Sequence, residues 1–286
     1  MGGPMAANLA RKGLRVRGFD LSAEARARLA LAGGEAAADV ADAAQDAALL
    51  LLAVATAEQA RSVLDAALPA LPEGATVVLH ATVPPAFART LGEELAGRGH
   101  PFLDAPISGG RLKAEAGELT IMASGSEAAF TAADPALAAM AAKVYRLGRE
   151  PGIASTVKMI NQHLAGVHIV AACEAMALGV RAGADARTLF EVIGASAGSS
   201  WMFQNRVPHI LARDFTPLSA VEIFVKDLGI VLDAGRALRF PLPIAAAAHQ
   251  QFLAAAAAGL GREDDSAVVK VYERLAGIEV EGRDPT

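Results

Sequence analysis

The chain has 286 residues, of which 53% are apolar, 20% charged and 5% aromatic, and its formal net charge is −5. A chain of this length and apolar content can bury a sizeable core, which excludes wholesale disorder. The negative charge argues against a generic nucleic-acid or anionic-membrane surface, because such a surface needs clustered positive charge. The single cysteine, Cys173, excludes a fold held together by intramolecular disulfides.

No segment predicts a membrane span or a secretory signal. The apolar run Ala47–Ala55 has about half of the ~20 residues that a spanning helix needs. The Ala-rich stretch Ile244–Leu260 is interrupted by a histidine and two glutamines. The first residues lack the order of basic region, apolar core and cleavage site. We therefore expect a cytoplasmic protein.

From Leu14 to Gly148, short apolar runs alternate with stretches rich in Ala, Leu, Glu and Arg. The runs are predicted strands, at 15–20, 48–55, 76–82, 101–108, 119–125 and 143–148. The stretches between them, such as Ala23–Ala32 and Ala57–Ala67, are strong helix formers. This alternation predicts βαβ units and a mostly parallel sheet whose strands are buried on both faces.

After Gly152 the pattern becomes purely helical, with helices predicted at 155–182, 186–195, 200–213, from Ser219 onward and at 244–258. The first of them, about 28 residues and roughly 42 Å long, suits a spine that joins two domains. Residues 277–286 are interpreted as a loose polar tail. We therefore predict an α/β domain over residues 1–151 and an all-α domain over residues 152–286.

The first glycines and a later acid form a weak dinucleotide-binding pattern. Gly2 and Gly3 lead into a predicted helix, whose N-terminus offers free N–H groups and a positive dipole end to a pyrophosphate. Asp20 ends the next predicted strand, where a carboxylate binds the adenosine ribose and selects NAD over NADP. The alternative is that the glycines are a flexible start and that Asp20 is a helix N-cap.

The segment DAPISGG, residues 104–110, follows a predicted strand. Pro106 fixes one backbone φ angle and removes a hydrogen-bond donor. Ser108, Gly109 and Gly110 then offer a hydroxyl and two open backbone N–H groups, a small nest for a carboxylate. The alternative interpretation is a plain turn at the exit of a strand.

Two lysines are candidates for chemistry because only six lysines accompany 20 arginines. Lys158 shares a helix face with Asn161, and its neighbours are apolar. A lysine buried there loses basicity from its usual pKa near ~10.4 and can serve as a general base; the alternative is a snorkelling surface lysine. Lys226 lies in a similar apolar context. The six histidines are scattered, so no metal site is predicted.

Four motifs in order and spacing resemble the 3-hydroxyisobutyrate dehydrogenase family of β-hydroxyacid dehydrogenases. They are MGGPMAANL at 1–9, DAPISGG at 104–110, GIASTVKMIN at 152–161 and KDL at 226–228. The resemblance implies a Rossmann-type, doubly wound, mostly parallel sheet and an all-α domain joined by a long interdomain helix. It also implies that Lys158 is the catalytic acid/base, that Asn161 orients the substrate and that residues 108–110 hold the substrate carboxylate.

The resemblance further implies NAD as the cofactor. By the same resemblance, Gly2 lies in the loop that binds the pyrophosphate and Asp20 binds the adenosine ribose. Thr82 and Lys226 contact the cofactor near its nicotinamide half. The family's first strand and first two loop glycines have no counterpart in the sequence. We therefore expect the natural protein to start upstream of Met1; a truncated, non-catalytic binding protein is the alternative.

Several segments look closest to the branch of the family that oxidises L-threonate, a four-carbon sugar acid, to a 2-oxo acid. These segments are AGVHIVAACEAMAL, GSSWMFQNR, FTPLSAVEIFVKDLG and REDDSAVVKVY. The alternative within the family is a 3-hydroxyisobutyrate or related semialdehyde dehydrogenase or reductase. The expected partners are a small hydroxy-acid substrate and further copies of the chain in a homodimer or homotetramer, without nucleic acid or membrane.

Overall fold

The computed structural model describes residues 1–282. The chain divides into two compact units, Met1–Met159 and a second unit from Ile160 onward. The division falls inside one long helix, whereas the proposed domain boundary after residue 151 lies just before that helix.

The first unit alternates strands and helices, as the sequence predicts. Its strands are β1 (Arg17–Gly18), β2 (Glu35–Ala36), β3 (Leu49–Leu52), β4 (Thr76–Leu79), β5 (Phe102–Asp104), β6 (Ile107–Ser108), β7 (Leu119–Gly125) and β8 (Ala141–Arg146). Its helices are α1 (Gly2–Arg11), α2 (Ala23–Leu31), α3 (Val40–Ala44), α4 (Ala57–Ala67), α5 (Pro85–Gly97), α6 (Gly110–Ala116) and α7 (Glu127–Met140). Each predicted strand region contains a strand; the two-residue β2 is the one that the sequence pattern misses.

The strands pair mostly in parallel. β1 and β2 form a separate parallel pair, and the larger sheet has the order β3-β4-β5-β7-β6 with β8 beside β7. The pairs β3–β4, β4–β5 and β7–β8 are parallel, and β7 runs antiparallel to both β5 and β6. The carboxyl ends of β3, β4 and β5 therefore share one edge of the sheet.

Helices cover both faces of the larger sheet. Val77 and Leu79 of β4 pack into a core with α4 and α5, while Val78 between them packs into a second core with α1 and α7. Because successive side chains of a strand point to opposite faces, both faces bury apolar residues. This explains the continuous apolar runs and confirms the doubly wound α/β fold.

The second unit is helical throughout its described residues. It continues α8 (Ile153–Arg181) and adds α9 (Ala186–Gly194), α10 (Trp201–Leu211), α11 (Val221–Leu238), α12 (Pro243–Ala255), a π-helical turn (Ala256–Leu260), a 3-10 helix (Asp265–Val268) and α13 (Val269–Ala276). Gly166 allows α8 to approach α11 closely, because a Cβ there would lie 3.0 Å from the side chains of Phe224 and Leu228.

α8 is long and apolar enough to cross a membrane by length and composition. It nevertheless carries the buried polar side chains Ser155, Lys158 and Gln162. Polar groups of this kind are costly against lipid, so α8 is a core helix of a globular protein.

The predicted loose tail is wrong for residues 277–282, while residues 283–286 lie outside the described part. Val280 is fully buried, and its N–H donates to Glu273 Oε1 at 2.8 Å. Arg213 donates to the same carboxylate and to the Val280 carbonyl at 3.2 Å. This ion pair, which has no local sequence signal, fixes the segment to α13.

Candidate active site

The predicted carboxylate nest lies between β6 and α6. Ser108 ends β6, Gly109 is the N-cap of α6, and no side chain caps that helix. Gly109 and Gly110 have φ angles of +131° and +67°, which side-chain-bearing residues rarely adopt. The glycines therefore permit the tight turn at the start of α6, and the carboxylate nest stays a prediction.

Alanine at Gly110 tests this nest against a matched turn elsewhere. We expect Gly110→Ala to cost about 1–2 kcal/mol of unfolding free energy through the left-handed φ and to raise the KM for the acid substrate. Gly99→Ala is the control, because Gly99 has a φ of +80° and, as at Gly110, an added Cβ would meet no atom within 4 Å. Urea unfolding and steady-state kinetics measure both quantities; an equal rise of KM in the two variants would contradict the assignment.

The start of α1 is where the sequence predicts a pyrophosphate. No side chain caps this helix and its first turn holds no acidic residue. A Cβ on Gly2 would lie 3.1 Å from the Cβ of Ala53, just past β3, so the glycine allows close approach to the sheet edge. Farther along α1, the buried Asn8 donates from Nδ2 to the Ala114 carbonyl at 2.6 Å, which joins α1 to α6 below the nest.

Asp20 lies just beyond the carboxyl end of β1 and is exposed. Its Oδ1 accepts a hydrogen bond from the Ser22 N–H at 2.8 Å. The N-cap of α2 is Ser22, whose hydroxyl accepts from the Ala25 N–H at 3.2 Å. The alternative interpretation of Asp20 as a helix N-cap is therefore wrong, and its carboxylate remains accessible at the strand end.

The ends of β4 and β5 are tied together by a histidine that the sequence interpretation missed. Thr82 follows β4 and is half-buried. His80, two residues earlier, is buried, and its Nδ1 lies 2.7 Å from the Ala105 carbonyl. Burial lowers the pKa of His80 to about 4, so the ring is neutral at pH 7 and Nδ1 donates to that carbonyl.

Lys158 lies on the second turn of α8, and its side chain is only 6% exposed. The burial that its apolar neighbours predict is therefore present. Asn161 lies three residues farther along the same helix and on the same face.

A polar network in the second unit includes two predicted residues and two others. Asn161 donates to Gln162 Oε1 at 3.0 Å, and Gln162 donates to Asp227 Oδ2 at 2.6 Å. Asp227 is buried, and its other oxygen forms an ion pair with Lys226. Gln162 and Asp227 thus orient Asn161 and Lys226, and the lysine neutralises the buried carboxylate.

These features fit a nicotinamide dinucleotide. The uncapped α1, the close approach at Gly2 and the accessible carboxylate of Asp20 correspond to a pyrophosphate and an adenosine ribose. Thr82 lies at the same sheet edge, past β4. Within residues 1–282, no three His, Cys, Asp or Glu side chains come together as metal ligands.

The fold and these side chains define the class as a dinucleotide-dependent oxidoreductase with an α/β unit and a helical unit. Two family models match the chain. Residues 1–148 match the NAD-binding domain of 6-phosphogluconate dehydrogenase. Residues 152–272 match a family described as NAD-binding of NADP-dependent 3-hydroxyisobutyrate dehydrogenase.

Known proteins agree over nearly the full length. An L-threonate dehydrogenase of Cupriavidus necator is 52% identical over 286 residues, covering 99% of this chain and 95% of the relative. An L-threonate dehydrogenase of Escherichia coli K12 is 47% identical, covering 96% and 92%. A solved 3-hydroxyisobutyrate dehydrogenase of Salmonella typhimurium is 47% identical with a TM-score of 0.89, covering 94% and 95%. The chain belongs to the 3-hydroxyisobutyrate dehydrogenase-like family, as the four sequence motifs predict.

Proposed function

We propose that this protein is a cytoplasmic, NAD-dependent dehydrogenase that oxidises L-threonate to a 2-oxo acid. The observation that carries the proposal is the full-length identity of 44–52% to five L-threonate dehydrogenases. The chemistry of the site supports it, because a buried lysine, an amide and a carboxylate nest suit a small hydroxylated acid.

The proposed mechanism assigns one task to each group. When bound, the nicotinamide supplies the hydride acceptor. Residues 108–110 hold the substrate carboxylate with a hydroxyl and backbone N–H groups, and Asn161 orients the hydroxyl-bearing carbon. Lys158 takes the hydroxyl proton on Nζ as the C–H bond breaks and its electron pair leaves as hydride. The C–O bond thereby becomes a carbonyl, and the proton on Lys158 passes to solvent.

A panel of small hydroxy acids tests the substrate. We expect NADH formation, measured by its ultraviolet absorbance. The kcat/KM should be highest for L-threonate, because relatives at 47–52% identity are L-threonate dehydrogenases. The stereoisomer D-threonate and the branched 3-hydroxyisobutyrate serve as matched comparisons. A higher kcat/KM for 3-hydroxyisobutyrate would favour the second candidate, which the solved Salmonella structure of that name suggests. No turnover together with no NADH binding would favour a non-catalytic protein.

The choice of NAD over NADP is proposed to depend on Asp20. Its exposed carboxylate at the end of β1 would repel a 2′-phosphate and accept hydrogen bonds from ribose hydroxyls. We expect Asp20→Ser to weaken NADH binding about 10-fold, the loss of a hydrogen bond to a charged group, and to improve NADPH binding. Fluorescence titration measures both, with Asp46→Ser as an exposed control; unchanged NADPH binding would contradict this role.

We also propose that the chain acts as a homodimer or homotetramer. Ile153, Val157, Ile160 and Leu164 follow one helical spacing along α8 and are each 41–51% exposed. An apolar stripe of this kind is typical of a surface that a second copy covers.

A further inference from the structure

The helix that carries Lys158 begins on a buried carboxylate. Asp104, the last residue of β5, is fully buried. Its Oδ2 accepts from the N–H groups of Gly152 and Ser155, both at 2.9 Å, and its Oδ1 accepts from the Ser155 hydroxyl at 2.7 Å. The Ser124 hydroxyl is a further hydrogen-bond partner. The carboxylate thus meets the amide groups at the start of α8.

Burial raises the pKa of Asp104, and the hydrogen bonds from Ser155, Gly152 and Ser124 oppose that shift. A buried carboxylate is unfavourable unless donors surround it, and here these donors and the positive end of α8 supply that environment. Because donors meet both Oδ1 and Oδ2, the arrangement requires a side chain that accepts hydrogen bonds at both positions.

This cap differs from the other side-chain caps in its distance along the chain. α2, α3, α4, α7, α9 and α10 are capped by the residue immediately before each helix, namely Ser22, Asp39, Thr56, Ser126, Asp185 and Ser200. Asp104 lies 48 residues before Gly152. A local cap stabilises a helix, but a cap supplied by a distant strand also fixes where the helix lies.

The neighbouring strand makes the same connection. Ser124 of β7 is the cross-strand partner of Asp104, and its Oγ accepts from the Ala154 N–H at 3.0 Å. Gly152 is held against α5 as well, because a Cβ there would lie 2.7 Å from the Pro85 carbonyl oxygen. Two strands and one helix therefore define the position of the first turn of α8.

Asp104 also begins the segment that ends in the nest. Three residues separate it from Ser108, and the segment between them is buried or half-buried. On the other side, Ser155 precedes Lys158 by three residues, so both lie on one helix face. A single carboxylate thus joins the nest for the substrate carboxylate to the helix turn that carries the proposed base.

We propose that Asp104 is a positioning residue that sets the spacing between the 108–110 nest and Lys158. This inference rests on the proposed function for its catalytic consequence. Loss of the carboxylate leaves the substrate nest and the cofactor residues chemically intact but releases the first turn of α8. Chemistry is then impaired more than binding, because a displacement of about 1 Å at a reacting group costs about 100-fold in rate.

The test compares Asp104→Asn with Ser155→Ala, Ser155→Thr and the control Asp185→Asn. The control makes the same amide substitution at the N-cap of α9, where Asp185 accepts from Thr188. We expect Asp104→Asn to lower kcat about 100-fold with unchanged NADH affinity and a smaller change of KM for the acid. Ser155→Ala should lower kcat less than Asp104→Asn does, and Ser155→Thr, which keeps the hydroxyl, should have the wild-type kcat. The kcat of the double variant Asp104→Asn/Ser155→Ala should be no lower than that of Asp104→Asn.

Hydrogen exchange supplies a readout that does not depend on the substrate. The Gly152 and Ser155 amides should exchange faster in Asp104→Asn, whereas the rest of the first unit should be unchanged. If Asp104→Asn keeps wild-type kcat, or if kcat and NADH affinity fall together with general destabilisation, the positioning role is overturned. If the wild type turns over no hydroxy acid, the proposed function fails, and unchanged exchange at these amides would independently overturn the tie between β5 and α8. If Asp104→Asn does not fold, the same measurements of kcat, NADH affinity and amide exchange are made on Ser155→Ala, and the same outcomes overturn the positioning role.

Discussion

Replacing Lys158 with alanine is expected to lower kcat about 1,000-fold, within the range that general acid–base catalysis contributes. The side chain is buried and projects from a helix turn whose start is fixed by Asp104. Its loss removes the group proposed to accept the hydroxyl proton while leaving Gly2, Asp20 and the nest in place. NADH binding, measured by fluorescence, should therefore be unchanged, and high concentrations of a small primary amine should restore part of the rate.

Two further variants separate proton transfer from charge. Lys158→Arg keeps a positive charge but cannot release a proton near neutral pH, so it should be as inactive as the alanine variant. Lys143→Ala is the matched control, because Lys143 is an exposed lysine on β8 and its removal should leave kcat unchanged. A Lys158→Arg enzyme with substantial turnover would show that only charge is required and would exclude Lys158 as the base.

The α/β fold is readily predicted from the sequence because its strands are buried on both faces. LLLL of β3 and VVL of β4 are continuous apolar runs, which predict buried strands. The pattern misses β2 because that strand is only two residues long and both of them, Glu35 and Ala36, are exposed. The tail over residues 277–282 escapes prediction for a related reason: Arg213 and Glu273 are far apart in sequence, and neither shows locally that they hold Val280 in place.

The candidate site is predictable where residue type determines backbone conformation. Two successive glycines after Ser108 suit the positive φ angles that the structure has at these positions. The connections between motifs are not predictable in the same way. Asp104 contacts a helix 48 residues away, and Gln162 contacts Asp227 over 65 residues. The available signal is a carboxylate at the end of an apolar strand, in FLDAP, which is costly unless donors from elsewhere satisfy it.

Arg206→Ala is expected to destabilise the protein by about 3–5 kcal/mol at pH 8, the usual cost of removing one partner of a buried ion pair. Arg206 of α10 is buried and donates to Asp265 from Nε at 2.6 Å and Nη2 at 3.0 Å. Asp265 is fully buried, and Ser219 is its other side-chain partner. Without the guanidinium, an ionised carboxylate would remain in the core.

The loss should depend on pH in a defined direction. Burial raises the pKa of Asp265 in the folded state to about 6, and Arg206 opposes that shift. The pKa of an aspartate in the unfolded chain is about 3.9. The folded state therefore binds the proton more tightly, so stability rises as pH falls through 6. Without Arg206 the folded pKa is higher still, and protonation at pH 5 removes the uncompensated charge. The difference between wild type and Arg206→Ala should thus be smaller at pH 5 than at pH 8.

Urea unfolding at the two pH values measures that difference directly. Arg236→Ala is the matched control, because Arg236 and Asp233 form an exposed ion pair on α11, and such pairs contribute about 0–1 kcal/mol. Its effect should be small at both pH values. A deficit of Arg206→Ala that is equal at pH 5 and pH 8 would mean that Asp265 does not titrate in this range. If Arg206→Ala is destabilised more at pH 5 than at pH 8, the predicted direction of the pH dependence is wrong. Asp265 would then stay ionised at a lower pH than its burial implies.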